Sequence, residues 1–115
     1  MYGLETVKAI DASIASAATY TPVVSILGAN AVVVRIATCA TAHTLEVQVA
    51  NTTTTSTFLP LVAINGTATW AVALSSTVGG QVVNLGPACG GMKYMRLMAN
   101  LALVDGQTIT VYNVR

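Results

Sequence analysis

Apolar and polar residues alternate in short segments along most of this chain. Residues 44–50, TLEVQVA, alternate strictly, which is the pattern of a β-strand with one buried and one solvated face. Residues 31–38, AVVVRIAT, form an apolar run in which Arg35 is the one charged residue, and such a run is typical of a strand in the centre of a sheet. The pattern therefore predicts a chain built from short strands.

The segment from Met92 to Arg115 shows the clearest alternation. Every second residue from Met95 to Leu103 is apolar. A period of two predicts a strand that buries this face. The opposite, more polar face carries Tyr94, Arg96, Met98 and Asn100.

A tight turn is predicted directly after this strand, at Asp105 and Gly106. Glycine adopts a positive φ angle without steric cost, and aspartate can bond to its own backbone. We therefore predict that residues 92–115 form a β-hairpin. We prefer a three-residue loop with Gly106 as the bulge residue, which places Leu101 opposite Ile109, over a two-residue loop.

A second hairpin is predicted around Asn65 and Gly66, because both residues tolerate a positive φ angle. They separate two strand-like segments, residues 58–64 and 67–74. Alternation within the second segment directs Trp70 into the core.

The remaining segments complete an all-β pattern. Residues 19–27 and 81–85 have the composition of short strands, and residues 51–57, NTTTTST, form a polar loop. About eight strands separated by turns predict an antiparallel β-sandwich, for which jelly-roll connectivity is our first choice. The chain is long enough for one domain. We expect residues 1–18 to be an N-terminal arm or first strand, and residues 19–115 to be the β-sandwich domain.

The scarcity of charge is the most informative feature of the composition. Charged residues make up 8% of the chain and hydrophobic residues 54%, and the mean hydropathy is +0.69. An ordinary soluble domain has about 25% charged residues. We therefore expect other protein to cover part of the surface.

Nucleic acid and membranes are not expected partners. The five basic residues are scattered, so no cluster could follow a phosphate backbone. Residues 12–34 carry no charge over a length that could span a bilayer. They contain Pro22 and Gly28 and alternate, however, so we interpret them as strand, turn and strand. The first residues lack a basic region followed by an apolar run, which argues against a secretory signal.

No residue pattern indicates catalysis, a metal site or a cofactor. His43 is the single histidine and is expected to be an ordinary loop residue. The four carboxylates lie too far apart in sequence to predict an acid and base pair, so we expect no enzyme activity. Cys39 and Cys89 are expected to be free, buried thiols, since their spacing suggests no metal site.

Candidate contact residues lie on two segments. Tyr94, Arg96 and Asn100 share the polar face of their strand and could meet a ligand or, as we prefer, a protein partner. Tyr2 and Leu4 are the candidate partner contacts of the N-terminal arm. An aromatic platform for sugars, formed by Trp70 and the tyrosines, is a weaker alternative, because tryptophan in an alternating strand is more often part of the core.

Two stretches resemble small jelly-roll domains of the galactose-binding or discoidin-like type. These stretches are TLEVQVANTTTTSTFLPLVAINGTATWAVAL and MKYMRLMANLALVDGQTITVYNVR, which look like the middle and closing strands of such modules. The resemblance implies a jelly-roll fold. It carries over no residue that contacts sugar or calcium.

The whole chain also resembles small bacteriophage virion proteins of the capsid decoration, or cement, type. It is short, rich in alanine, threonine, valine and glycine, and poor in charge. The resemblance implies a homo-oligomer, with a trimer favoured, on the outer surface of the capsid. There it would bind and stabilise the lattice of the major capsid protein. We expect this structural role. The alternatives are a carbohydrate-binding or adhesin-type module and a phage tail or fibre component.

Overall fold

A computed structural model of the protein describes residues 7–39, 41–61, 71–74, 80–86 and 92–115. These residues form strands and one short 3-10 turn, Thr55–Thr57. The strands are Val7–Asp11 (β1), Ala18–Tyr20 (β2), Val24–Ser25 (β3), Ala31–Ile36 (β4), His43–Ala50 (β5), Leu59–Pro60 (β6), Ala71–Leu74 (β7), Gln81–Gly86 (β8), Tyr94–Leu103 (β9) and Ile109–Val114 (β10).

The strands form two antiparallel sheets. The first sheet has the order β1-β10-β4-β8. In the second sheet, β9 and β5 are neighbours, β2 and β3 both pair with the outer edge of β9, and β6 and β7 both pair with the outer edge of β5. β2 with β3 can be counted as one interrupted strand, and so can β6 with β7, which leaves eight strands. When these eight are renumbered along the chain, the first sheet has the order 1-8-3-6 and the second has the order 2-7-4-5. This is the jelly-roll arrangement, so the predicted antiparallel jelly-roll sandwich is confirmed.

The core lies between the sheets and follows the predicted alternation. Met95 and Ile109 are fully buried. Each such side chain contributes about 1.5–3 kcal/mol through removal of apolar surface from water. The other large buried apolar side chains of the four central strands are Val32, Val34, Ile36, Leu45, Val47, Val49, Leu97, Leu103 and Val111. The predicted inward face of residues 44–50 and the central position of residues 31–36 are therefore both confirmed.

The predicted hairpin of residues 92–115 is wrong, because its two strands belong to different sheets. β9 pairs with β5, β2 and β3, whereas β10 pairs with β1 and β4. The turn itself exists, since the N–H of Gly106 donates to the carbonyl of Leu103 at 3.0 Å and Gly106 has a φ angle of +70°. It carries the chain from the second sheet to the first. Jelly-roll order requires this crossing, because its last two strands lie in opposite sheets.

Leu101 also departs from the predicted pattern. It was expected on the buried face of β9 but is 38% exposed, although Ala99 and Leu103 on either side of it are buried. The pairing of β2 with β9 is irregular here, because Ala18 is opposite Leu103 while Tyr20 is opposite Met98. An irregular register lets the extra residues of β9 turn away from the core.

The described parts of the second predicted hairpin do not pair with each other. β6 lies opposite Gln48 and Val49, and β7 lies opposite residues 43–46, so both are neighbours of β5. The predicted turn at Asn65 and Gly66, and Trp70, lie outside the described residues.

The N-terminal region contains a strand of the first sheet. β1 pairs with β10 over its whole length, from Val7 opposite Val114 to Asp11 opposite Thr110. Ser13 fixes the end of this strand. Its hydroxyl donates to Asp11 Oδ1 at 2.6 Å and accepts from the N–H of Ile109 at 3.1 Å.

These bonds predict how Asp11 titrates. The hydroxyl and the backbone N–H of Ser13 both donate to its carboxylate and hold the pKa of Asp11 below its ordinary value. Asp11 therefore favours the folded state above its ordinary pKa, and this contribution is lost as pH falls through the lowered value. Ser13→Ala is expected to raise the pKa of Asp11, measured by NMR titration of its carboxyl carbon. Ser16→Ala is the control, because the Ser16 hydroxyl donates instead to the carbonyl of Val104. An unchanged pKa in Ser13→Ala would contradict the assignment.

Candidate functional site

The most organised polar group in the described part of the chain surrounds Arg96 on the outer face of the second sheet. The Arg96 side chain is only 9% exposed. Its guanidinium carbon lies 4.2 Å from the ring centre of Tyr20 and 4.6 Å from that of Phe58. Both distances fall within the range of cation–π attraction. Two aromatic rings therefore hold the charged end of Arg96.

Gln48 fixes the guanidinium from the neighbouring strand. The strand register places Gln48 directly opposite Arg96. Arg96 Nε donates to Gln48 Oε1 at 2.7 Å, and Gln48 Nε2 in turn lies 3.6 Å from the sulfur of Met98. Both the oxygen and the nitrogen of the Gln48 amide therefore have partners. The orientation of Arg96 is set by neighbours that carry no charge.

An open cleft of about 450 Å³ lies beside this arginine, and we name it the arginine cleft. The residues that line it are Tyr20, Thr21, Val23, Thr55, Ser56 and Arg96. The Thr21 hydroxyl is already engaged, because it donates to the carbonyl of Pro22 and accepts from the N–H of Leu97. Thr55 and Ser56 come from the polar loop and are exposed.

The three predicted contact residues of β9 do not form one cluster. Tyr94 and Asn100 lie six residues apart on the strand, which separates them by about 20 Å. Tyr94 is half-buried, and Asn100 accepts a hydrogen bond from the N–H of Thr44 at 2.9 Å. Arg96 is therefore the one member of the trio that lines the cleft. Tyr2 and Leu4 lie outside the described residues.

The prediction for His43 is wrong in its location. His43 begins β5 and is 4% exposed, rather than lying in a loop. Its Nδ1 lies 2.7 Å from the carbonyl oxygen of Thr41, so Nδ1 carries the proton. Its Nε2 is buried and has no hydrogen-bond partner among the described residues. Cys39 is buried, as expected, and Cys89 lies outside the described residues.

A second surface of interest is the outer face of the first sheet, which we name the apolar sheet face. Val7 and Val82, at its two edges, are 58% and 68% exposed. The register places their apolar neighbours on the same side, away from the core. The apolar members are Val7, Ala9, Ala31, Val33, Val82, Tyr112 and Val114.

Two opposite charges interrupt this apolar surface in a single row across the strands. Asp11 lies opposite Thr110, Thr110 lies opposite Arg35, and Arg35 lies opposite Val82. One acidic and one basic side chain, on a face whose other polar members are Thr110 and Asn84, make this face complementary to itself.

The described residues offer little for other chemistry. No group of three or more potential metal-binding side chains occurs among them. In the same part of the chain, no helix has the length and apolar character needed to cross a bilayer.

Comparisons with known proteins establish the fold. No family model matches the chain, and no curated protein matches it in sequence. Among solved structures, the chain is similar to the crystal structure of the SPBc2 prophage-derived protein YomS, with a TM-score of 0.69 and 8% sequence identity. The similarity covers 100% of this chain and 98% of that chain. At this identity the chain and YomS share a fold over their whole lengths.

Proposed function

We propose that this protein is a structural subunit of a phage particle, a decoration protein that binds and stabilises the lattice of the major capsid protein. The prophage origin of YomS supports a phage context, because the two chains share one fold from end to end. The chain's scarcity of charge supports a role in which other protein covers its surface. The proposal assigns no catalytic step to the chain.

The observation that carries this proposal is the apolar sheet face. A sheet with one face on the core ordinarily presents polar side chains on its other face. Here the second face presents four valines, two alanines and a tyrosine, against four polar or charged side chains, those of Asp11, Arg35, Asn84 and Thr110. Contacts of this kind tie subunits together through buried area, without any chemistry.

The occupant that we propose for this face is another copy of the chain. Asp11 and Arg35 lie in the same row, so one copy can present its Asp11 to the Arg35 of the next. Contact between two copies of one self-complementary face closes as a two-fold dimer, whereas head-to-tail contact builds closed rings or open filaments. A homotrimer, which the resemblance to decoration proteins favours, requires that the Asp11 side of one copy meets the Arg35 side of the next and that the ring closes.

Charging this face is expected to dissociate the oligomer. Val82→Glu should weaken each contact at least about tenfold, because a valine buried by the contact contributes about 1.5–3 kcal/mol and the new carboxylate lies beside Arg35, where it competes with Asp11 of the other copy. Light scattering at micromolar concentration measures the result against the monomer mass of 11.8 kDa. Val104→Glu is the matched control, since Val104 is 75% exposed but lies in the turn after β9.

The wild-type chain and Val104→Glu should form the same oligomer, and Val82→Glu should shift toward the monomer. A monomeric wild-type chain would overturn the proposed contact between copies. So would an equal loss of oligomer in both variants.

The capsid role has its own test. The purified chain is mixed with shells assembled from the major capsid protein of the same phage, and separately with its tails. Binding to shells, together with a higher melting temperature of the shells, is expected from linkage between binding and stability. Binding to tails alone would overturn decoration in favour of a tail or fibre component. Binding to neither would overturn the structural role in both forms.

A further inference from the structure

We propose that the arginine cleft binds a carboxylate-bearing sugar, such as a hexuronic acid unit of an acidic glycan. This binding site lies on the second sheet, away from the apolar sheet face, and the inference does not depend on the decoration role. Its basis is the combination of a buried cation, which no described residue compensates, with a cleft that offers both an aromatic side chain and hydroxyl groups.

The charge of Arg96 is not balanced by the described residues. An arginine that is nine-tenths buried is ordinarily paired with a carboxylate. Here its neighbours are two aromatic rings and the amide of Gln48, all of them uncharged. Glu46 lies two residues along β5 on the same face, and it forms no ion pair with Arg96. A carboxylate is therefore the group that would complete this environment.

The free donors of the guanidinium reach the cleft. The hydrogen bond to Gln48 uses Nε, and Arg96 lines the cleft. Among the described residues, neither Nη atom has a hydrogen-bond partner, and neither is fully buried. Both Nη groups can therefore present N–H donors to the cleft, and a planar pair of donors matches the two oxygens of a carboxylate.

The remaining lining suits a sugar ring. Tyr20 is 44% exposed and Val23 is 36% exposed, so both offer apolar surface to the C–H groups of a sugar. Thr55 and Ser56 supply exposed hydroxyls on the same cleft. The cleft, of about 450 Å³, is open to solvent and leaves room for one sugar unit of a longer glycan.

A sugar fits these observations better than an acidic peptide. Arg96 is the one charged residue among those that line the cleft. Recognition of an acidic peptide generally uses a cluster of arginines. One cation beside an aromatic ring and two hydroxyls instead matches a ligand with one carboxylate and several hydroxyl groups.

The test is a titration monitored by ¹⁵N NMR with three probes. These are a glucuronic acid oligosaccharide, a neutral glucose oligosaccharide of the same length, and a glutamate oligopeptide. The glucuronic acid probe should shift the amide signals of residues around Arg96 and Ser56, and the neutral probe should not. Arg96→Lys is expected to weaken binding at least about tenfold, because lysine lacks the planar pair of donors.

A second variant protects the test against a folding defect in Arg96→Lys. Ser56→Tyr fills the cleft from an exposed position and should abolish binding, whereas Thr53→Tyr, exposed in the same loop but outside the lining, should leave it unchanged. Equal binding of the acidic and neutral sugars would overturn the role of Arg96. Undiminished binding in Ser56→Tyr would overturn the cleft as the site, and preference for the peptide would overturn the sugar assignment.

The outcome is distinguishable from that of the proposed function. Loss of sugar binding in Ser56→Tyr should leave the oligomer intact, because Ser56 lies on the second sheet's side of the sandwich. Dissociation by Val82→Glu should likewise leave the affinity for the acidic sugar unchanged.

Discussion

Asn113→Asp is expected to lower the free energy of unfolding by about 3–5 kcal/mol at neutral pH, the cost of leaving an uncompensated buried charge. Asn113 is 1% exposed on β10, and its Nδ2 donates across the core to the carbonyl oxygen of Ser25 on β3 at 2.8 Å. The bond joins the two sheets. Aspartate would remove the donor and place a negative charge beside a carbonyl oxygen.

The pH dependence of this variant has a definite sign. Burial raises the pKa of a carboxyl group above its value in the unfolded chain. The loss of unfolding free energy in Asn113→Asp is therefore smallest at pH values below the pKa of this carboxyl in the unfolded chain. It grows as the pH rises toward the higher pKa of the folded state. Urea unfolding at several pH values, at one protein concentration, measures it.

Asn113→Leu is the control for the charge. It removes the donor without adding a charge, and its expected cost is about 1–3 kcal/mol, with little dependence on pH. Equal stability losses in the two variants at neutral pH would show that the charge is not buried and would contradict the placement of Asn113.

The second large effect is expected at Gly106, in the turn where the chain crosses between the sheets. Gly106→Ala should lower the free energy of unfolding by about 3 kcal/mol or more, because the added methyl group is unfavourable for two separate reasons. A positive φ angle of +70° is unfavourable for alanine. A Cβ atom would also lie 2.5 Å from the carbonyl oxygen of Ile14, whose backbone bonds to Gln107 in both directions.

Gly28→Ala separates these two penalties. Gly28 has a similar φ angle of +80°, but its nearest contact to a new Cβ would be the end of the Arg115 side chain at 3.9 Å. It should therefore show the conformational penalty alone, about 1–2 kcal/mol. Urea titrations of both variants give the comparison. If the two losses are equal, the close approach of Ile14 to the turn is wrong.

Alternation along the chain predicted the strands and most of their buried faces. The period of two is a local property, and in β5 it places Leu45 and Val47 in the core regardless of which strands are neighbours. The jelly-roll architecture followed from the number of strands and their spacing. These features need no knowledge of pairing partners.

Pairing between strands could not be predicted in the same way. Asp105 and Gly106 do form a turn, but the turn residues do not determine whether the chain returns to the same sheet or crosses to the other. A jelly roll and a hairpin of β9 with β10 are mutually exclusive, so the two predictions conflicted with each other. Burial of β10 between β1 and β4 decided the outcome.

The arginine cleft depends on contacts that are distant in sequence. Arg96 was recognised as a surface candidate from its place on the polar face of its strand. Its partners come from three other segments, at Tyr20, Gln48 and Phe58, and only the tertiary fold brings them together. Gln48 lies on the polar face of an alternating strand, so the sequence predicted only that it would be exposed to solvent. It is 7% exposed.

The interrupted strands of the second sheet bear on aggregation. Its outer edges consist of short pieces, β2 with β3 and β6 with β7, and a proline lies at each edge, Pro22 between the first pair and Pro60 within β6. Short edges and prolines prevent a foreign strand from extending a sheet. Among the described strands, the first sheet ends instead in β1, which pairs along its whole length, and in β8, whose pairing with β4 has one irregularity. Strand addition is thus less hindered at the sheet whose outer face is apolar, and coverage of that sheet would also suppress fibre formation.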